Sequence, residues 1–292
     1  MRAFSDHNPI AVAIYFLCVS AIIMFCSNPI LLVSSFLGAF LLYVVRRGSS
    51  GWKSHFAFLL MFMVLALINP LVSHSGVTVL FVINDAPITA EAVLYGAFAA
   101  GTVITAIYWF RSFSEIMTED KLLYLFGKMS PKLALVISMG LRYVPLFSKQ
   151  SKKISNTQKA LGLYKDGNAF DRAHGGVRVF SVMTTWALEN GITTADSMAS
   201  RGYGEGKRTH FSSFRMRRGD IVFLVLTLSI TALVVLCASI GALDFDFYPR
   251  IIMAKHSVIS TIGYISYGIL VALPILIEMG ESIKWKYLRS KI

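Results

Sequence analysis

Residues 221–243 read IVFLVLTLSITALVVLCASIGAL, an apolar run with no charged side chain. About 20 such residues in helical conformation cross the hydrocarbon core of a bilayer. Comparable runs lie at 10–25, 30–45, 56–72, 91–110 and 258–277. Asn28-Pro29 separates the first two and reads as a tight turn, and Asn69-Pro70 stands near the end of the third. The expectation is an all-α integral membrane protein with about six transmembrane helices.

Composition agrees and adds a puzzle. Of the 292 residues, 55% are hydrophobic and 15% charged, yet the formal net charge is +12. The apolar content excludes a disordered chain. Three cysteines, Cys18, Cys26 and Cys237, all in apolar runs, exclude a secreted disulfide scaffold. A soluble nucleic-acid binder would account for the charge but not for the apolar runs, so nucleic acid is not an expected partner. Residues 111–219 hold 18 Lys or Arg against eight Asp or Glu, so this one stretch carries +10 of the total. Three regions follow: N-terminal transmembrane helices over 1–110, a basic region over 111–219, and C-terminal transmembrane helices over 220–292.

Short-loop charge sets the orientation. Arg46, Arg47 and Lys53 lie between the second and third runs, and Lys284, Lys286, Arg289 and Lys291 follow the last. The loop 73–90 has no Lys or Arg and carries Asp85, and in loop 244–257 Asp244 and Asp246 stand against Arg250 and Lys255. Basic loops stay cytoplasmic, so both termini and the 111–219 region are expected in the cytoplasm. Arg2 is a thin positive region, Asp6 opposes it and no Ala-x-Ala site follows, so the first run reads as a retained span.

Several chemistries lack their residues. The centres of the runs carry no Asp, Glu, Lys, Arg or His, which ion-coupled carriers and proton pumps need there. No G-x-x-x-x-G-K-[ST] loop is present. Gly204-Glu205-Gly206-Lys207-Arg208-Thr209 resembles one only faintly and reads as a solvated basic turn. His7, His55, His74, His174, His210 and His256 are scattered without metal-ligand spacing, and no nucleophile, base and acid stand together. No catalytic residue, no metal ligand and no resident cofactor are expected in this chain, and energy for any work must come from a partner.

The basic region holds two long helical patterns. Ser130-Pro131 is a strong helix start, because Ser can accept from a free backbone N–H and Pro suits the first helical position. Pro145 is expected to kink or end that helix. From Ser148 onward Phe147, Ile154 and Leu161 recur every seven residues among Lys149, Lys152, Lys153 and Lys159, a basic amphipathic pattern suited to anionic lipid. Gly162 ends it. The second pattern runs over 177–201, with Val177, Phe180, Met183, Trp186 and Ala187 on one face, then Ile192, Ala195, Met198 and Ala199, and ends at Gly202. The endings Gln158-Lys159-Ala160-Leu161-Gly162 and Met198-Ala199-Ser200-Arg201-Gly202 lie 40 positions apart. Two similar ends suit a chain that engages two related subunits. Helices also end in Gly for purely local reasons, and an exposed arginine at a helix end has a local explanation in the macrodipole.

Ile88-Thr89-Ala90-Glu91, Leu141-Arg142-Tyr143-Val144-Pro145 and Met198-Ala199-Ser200-Arg201-Gly202-Tyr203-Gly204 together resemble the transmembrane T component of energy-coupling factor transporters, over about 30–220 of the chain. Those are prokaryotic ABC-type importers of vitamins and transition-metal ions. The resemblance implies a multi-pass protein of the cell membrane with long amphipathic cytoplasmic coupling helices. It implies two ATP-binding subunits, which hold ATP and Mg, and a small substrate-binding membrane subunit. In the family, an arginine at each of two coupling-helix ends enters a groove of one ATP-binding subunit. Ser200, Arg201 and Gly202 match the second end. At the first, Ala160, Leu161 and Gly162, this chain departs, with Leu161 in place of the usual arginine. There Leu161 docks by apolar packing, or Lys159 or Lys165 supplies charge nearby. Arg142 and Pro145 take the structural role in the coupling helix. Leu135, Met139, Leu146, Val179, Met183 and Trp186 are the expected contacts with the substrate-binding subunit, or internal packing. Two rival readings stand at this stage: a permease of an ordinary ABC importer that forms its own substrate path, and a membrane enzyme or binding module without transport.

Overall fold

The computed structural model describes residues 4–47, 52–73, 76–83, 86–162, 169–204, 214–253 and 258–289. Lys165, residues 205–209 of the basic turn, Asp85, Lys255, Lys291, His74, His210 and His256 lie outside them. The described residues are almost all helical: α1 (Pro9–Phe25), α2 (Pro29–Arg47), α3 (Trp52–Val72), α4 (Ala90–Ile116), α5 (Glu119–Met129), α6 (Pro131–Ala160), α7 (Ala169–Ser200), α8 (Arg218–Ser239) and α9 (Val258–Arg289). Two antiparallel ladders interrupt them, β1 (Val79–Ile83) with β2 (Ala86–Thr89), and β3 (Phe245–Asp246) with β4 (Ile252–Met253). Five of the helices, in α2, α3, α4, α8 and α9, are long and apolar enough to cross a membrane, while α1, at 17 residues, is shorter. At about 1.5 Å per residue α1 reaches roughly 25 Å, short of a full hydrocarbon core.

The chain divides into two compact units, Met1–Leu122 with Phe214–Ile292, and Leu123–Ser213. The first unit packs α4 against α2 and α3, and α9 against α2 and α8. Its core is rich in aromatics: Phe4, Tyr15, Phe16, Trp109 and Phe223 meet edge-on or tilted at ring-centroid distances of 5.5–6.3 Å. Such pairs add about 0.5–1.5 kcal/mol beyond the area they bury. Between apolar faces, hydrogen bonds set which helix meets which. Trp109 Nε1 donates to Ser35 Oγ at 2.8 Å, and Tyr15 Oη to the Leu270 carbonyl at 3.2 Å. Asn28 Nδ2 donates to the Leu243 carbonyl at 3.0 Å and to Tyr264 Oη at 2.9 Å. Its Oδ1 accepts from the Ile30 N–H at 2.9 Å. The Asn28-Pro29 turn is thus also the N-cap of α2. Asp220 joins the chain start to α8, accepting from the Asn8 N–H at 3.2 Å and the Arg217 N–H at 2.9 Å, with His7 Nδ1 at 2.6 Å.

In the second unit α6 and α7 run antiparallel. Tyr143 Oη lies 3.1 Å from Thr194 Oγ1, and the Phe147 ring meets Trp186 edge-on at 5.7 Å. Of the two outcomes expected at Pro145, a kink or an end, the helix does not end there. α6 is continuous from Pro131 to Ala160, and Pro145 sits exposed within it. Proline removes one backbone hydrogen bond, but Tyr143 and Phe147 tie the turns on either side to α7.

Other expectations are corrected. Ser130 occupies the N-cap of α6 without a side-chain capping bond. α7 begins at Ala169 rather than 177, and α9 continues beyond 277 to Arg289. The β1–β2 ladder occupies the loop 73–90, where no strand was expected. Its register carries an irregularity between Val79 and Phe81, which blurs the two-residue alternation by which a strand is read. The seven-residue stripe holds only in part, with Ile154 half-buried but Leu161 69% exposed. On α7, Met183, Trp186 and Ala187 are half-buried while Val177 and Phe180 are exposed, so the predicted face is split. Helical spacing places residues on one side; a single antiparallel partner covers only a strip of it.

Candidate functional site

The motif Ile88-Thr89-Ala90-Glu91 is a helix start. Thr89 caps α4, its Oγ1 accepting from the Ala92 N–H at 3.3 Å. Glu91, in the first turn and buried, accepts from the Thr78 N–H at 3.2 and 3.3 Å. A carboxylate suits that position because the first-turn N–H groups lack helical partners. The Ala90 N–H also donates to the Thr78 carbonyl at 2.9 Å. The motif therefore fastens the segment before the hairpin to α4. Gly76, at φ +138°, lies where a Cβ would come within 2.6 Å of Glu91 Oε2 and 2.7 Å of Thr89 Oγ1.

The two helix ends of the second unit share one backbone form. At the first, the Gly162 N–H donates to the Lys159 carbonyl at 3.0 Å, with Gly162 at φ +71°. At the second, the Gly202 N–H donates to the Ala199 carbonyl at 2.9 Å, with Gly202 at φ +72°. The Tyr203 N–H donates to the Met198 carbonyl at 3.0 Å and completes a Schellman cap there. Only glycine takes these left-handed positions without strain. Each cap presents the residue before its glycine outward: Leu161 and Arg201 are both exposed, as are Ala160 and Ser200. Among the described residues Arg201 makes no ion pair.

The ends point away from each other. From the Tyr143–Thr194 contact, α6 runs on to Leu161 in one direction and α7 to Arg201 in the other. At 1.5 Å per residue the two caps stand about 35 Å apart.

The other predicted positions divide. Leu135 and Met139 on α6 are half-buried, Leu146 is exposed, and Arg142 projects from α6. Trp186 packs on Phe147, an internal contact. Val179 and Met183 border an open groove of about 810 Å3 between α6 and α7, with Phe147, Ser151, Phe180 and Ala187. The groove was not read from the sequence, since its walls come from helices whose register the sequence leaves open. Missed too were the exposed Leu133, Val136 and Val144 on α6 and Leu188 on α7. Their signal was available: apolar side chains more numerous than one helix–helix seam can cover. Among the described residues no group of three or more His, Cys, Asp or Glu gathers as a metal site.

Comparison with known proteins bears on the larger part of the chain. Residues 2–211 match the CbiQ family, described as cobalt transport protein. Among curated relatives, the energy-coupling factor transporter transmembrane protein EcfT 1 of Listeria monocytogenes is 32% identical over 103 residues, 34% of this chain and 38% of its own length. The EcfT protein of Lacticaseibacillus paracasei is 34% identical over 102 residues, 33% of this chain and 39% of its own length. An uncharacterized MG181 homolog of Mycoplasma pneumoniae is 30% identical over 115 residues, 39% of this chain and 26% of its own length. The chain thus spans about two fifths or less of these relatives' lengths. The family match covers well over half of the chain, and with its apolar helices the protein belongs to the CbiQ family, as a multi-pass transmembrane component of the energy-coupling factor type.

Proposed function

We propose that this protein couples ATP hydrolysis by two partner subunits to the movement of a separate substrate-binding membrane subunit. The observation that carries the reading is the pair of matched caps, of one backbone form, at opposite ends of one antiparallel helix pair. About 35 Å is too far for one groove to hold both ends, so each takes its own ATP-binding partner. ATP and Mg are held by those partners. When the partners close, the caps are displaced together, and the helix pair carries the displacement through Tyr143–Thr194 and Phe147–Trp186, which join the two helices between the caps.

The exposed apolar residues of α6 and α7, with Leu135, Met139, Leu146, Val179 and Met183, supply a surface for the substrate-binding subunit. Lys149, Lys152 and Lys153, all exposed, suit anionic head groups at the cytoplasmic face of the cell membrane, with both termini on that side. The substrate class is a vitamin or a transition-metal ion, the latter favoured by the family's description. Isolation of the full complex from native membranes in mild detergent tests the reading. Two ATP-binding chains and one small membrane protein are expected. A soluble or lipid-anchored binding protein with a second permease copy would refute it and favour an ordinary ABC permease.

A further inference from the structure

Arg46, Arg111 and Glu278 each stand one position past an apolar run, 30–45, 91–110 and 258–277. The fold gathers these three places, since α2 packs on both α4 and α9. Arg46 Nη1 donates to Glu278 Oε1 at 3.3 Å, and the two side chains are only 9% and 12% exposed. The Arg111 guanidinium lies over two rings, 5.4 Å from the Tyr43 centroid and 5.7 Å from that of Phe58. Tyr43 is fully buried and stands one turn before Arg46 on α2.

The cluster leaves specific groups over. A charge-assisted pair closes to about 2.7–2.9 Å, and arginine facing a carboxylate squarely makes two such bonds. Arg46 makes one long bond, and Arg46 Nε, Glu278 Oε2 and Tyr43 Oη are buried with no hydrogen-bond partner among the described residues. Buried polar groups are nearly always paired, because an orphan gives up its water for nothing. In charge, two guanidiniums meet one carboxylate, and Arg111 makes no ion pair among the described residues. A guanidinium stacked on a ring still offers the N–H groups of its edge to an acceptor. The remaining groups call for one anion, to accept from Arg46, Arg111 and Tyr43, and for one donor to Glu278.

A single molecule at this depth meets both demands. Charges just past the ends of membrane-crossing helices stand at the level of lipid head groups. We propose that Arg46, Arg111, Tyr43 and Glu278 hold one membrane lipid by its head group. The phosphodiester oxygens accept from the two guanidiniums and the Tyr43 hydroxyl, and an ammonium or hydroxyl of the same head group donates to Glu278. Ethanolamine and glycerol head groups carry such a donor, and choline does not. The bound lipid ties α2, α4 and α9 together at one end of the first unit. This inference does not depend on the docking of the helix caps.

The test uses the full chain, with its co-purifying partners, stripped of free lipid in mild detergent. Ethanolamine, glycerol and choline phospholipids of identical acyl chains are added back in equal amounts, and native mass spectrometry weighs what each complex retains. One ethanolamine or glycerol lipid per chain is expected, with choline lipid retained about ten-fold less. Arg111→Gln lowers retention about ten-fold or more, since a charged hydrogen bond is lost. Tyr43→Phe keeps the ring beneath Arg111 and lowers retention several-fold, with the thermal midpoint of the lipid-free chain unchanged. No lipid on the unaltered chain, or equal retention by both variants, overturns the site. Choline lipid retained as well as the others overturns the role of Glu278. Displacement of the lipid by excess inorganic phosphate overturns the lipid and leaves a site for a free anion.

Discussion

Replacing Arg201 with Ala separates docking from folding, because the two effects differ by orders of magnitude. Arg201 is exposed at the end of α7 and makes no ion pair among the described residues. Within the chain its loss forfeits only a favourable charge at a helix C-terminus, about 0.3–1 kcal/mol. The cap itself rests on the Gly202 and Tyr203 backbone bonds, which the substitution does not touch. In the docking proposed above the guanidinium would pair with a buried carboxylate, and removing one partner of such a pair costs about 3–5 kcal/mol. At about 1.4 kcal/mol per factor of ten, affinity for that ATP-binding subunit falls by two to four orders of magnitude. The assay is the Kd between the detergent-solubilised membrane component and the purified ATP-binding subunit, alongside the thermal midpoint of the membrane component alone. Arg201→Lys keeps the charge but loses the fork and falls between the two. An unchanged Kd for Arg201→Ala, or a fall in midpoint and membrane yield as large as the loss of binding, refutes the reasoning.

Other outcomes follow from local geometry. Gly202→Ala forces a Cβ into the left-handed region at φ +72°, costing about 1–2 kcal/mol. Amide exchange at Tyr203, whose N–H closes the cap on Met198, is expected to rise about ten-fold, while that of the α8 core is unchanged. Gly76→Ala sets a Cβ against the Glu91 carboxylate and Thr89 hydroxyl, with positive-φ strain of about 1–3 kcal/mol. A lower thermal midpoint and faster proteolysis between α3 and α4 are expected, and Gly76→Ala together with Glu91→Ala recovers part of the loss. Asn28→Ala removes donors to Leu243 and Tyr264 and the cap of α2. Unfolding by denaturant shows a loss of about 1–3 kcal/mol, whereas an exposed change such as Ser239→Ala stays within about 0.5 kcal/mol.

Much of the architecture was legible because it is local. An apolar run of 20 residues declares a span wherever it lies in the chain, and Gly162 and Gly202 declare helix ends because no other residue takes their dihedrals without strain. Thr89 and Glu91 entered the reading only through the family resemblance, and the structure shows why they stand there: Thr89 caps α4 and Glu91 lies in its first turn. Legibility failed where an outcome depends on residues distant in the chain. Pro145 predicts a kink or an end from its own chemistry, yet α6 runs on past it, with Tyr143 and Phe147 on either side in contact with α7. Leu161 keeps seven-residue spacing with Phe147 and Ile154, yet is exposed where Ile154 is half-buried, because which side of α6 is covered depends on the contacts of α7 and not on spacing.

The amino-acid sequence by itself determined that this is a basic membrane protein, which runs of it are apolar helices, and that two helices of its basic region end in a cap with Leu161 and Arg201 outermost. Hydrophobic length, short-loop charge and glycine dihedrals each act within a few turns of chain. Only the tertiary structure decided that α6 and α7 pair antiparallel and so present those ends about 35 Å apart rather than side by side. That choice belongs to packing between residues some 50 positions apart, Tyr143 with Thr194, and it turns two similar sequence endings into two separate points of attachment.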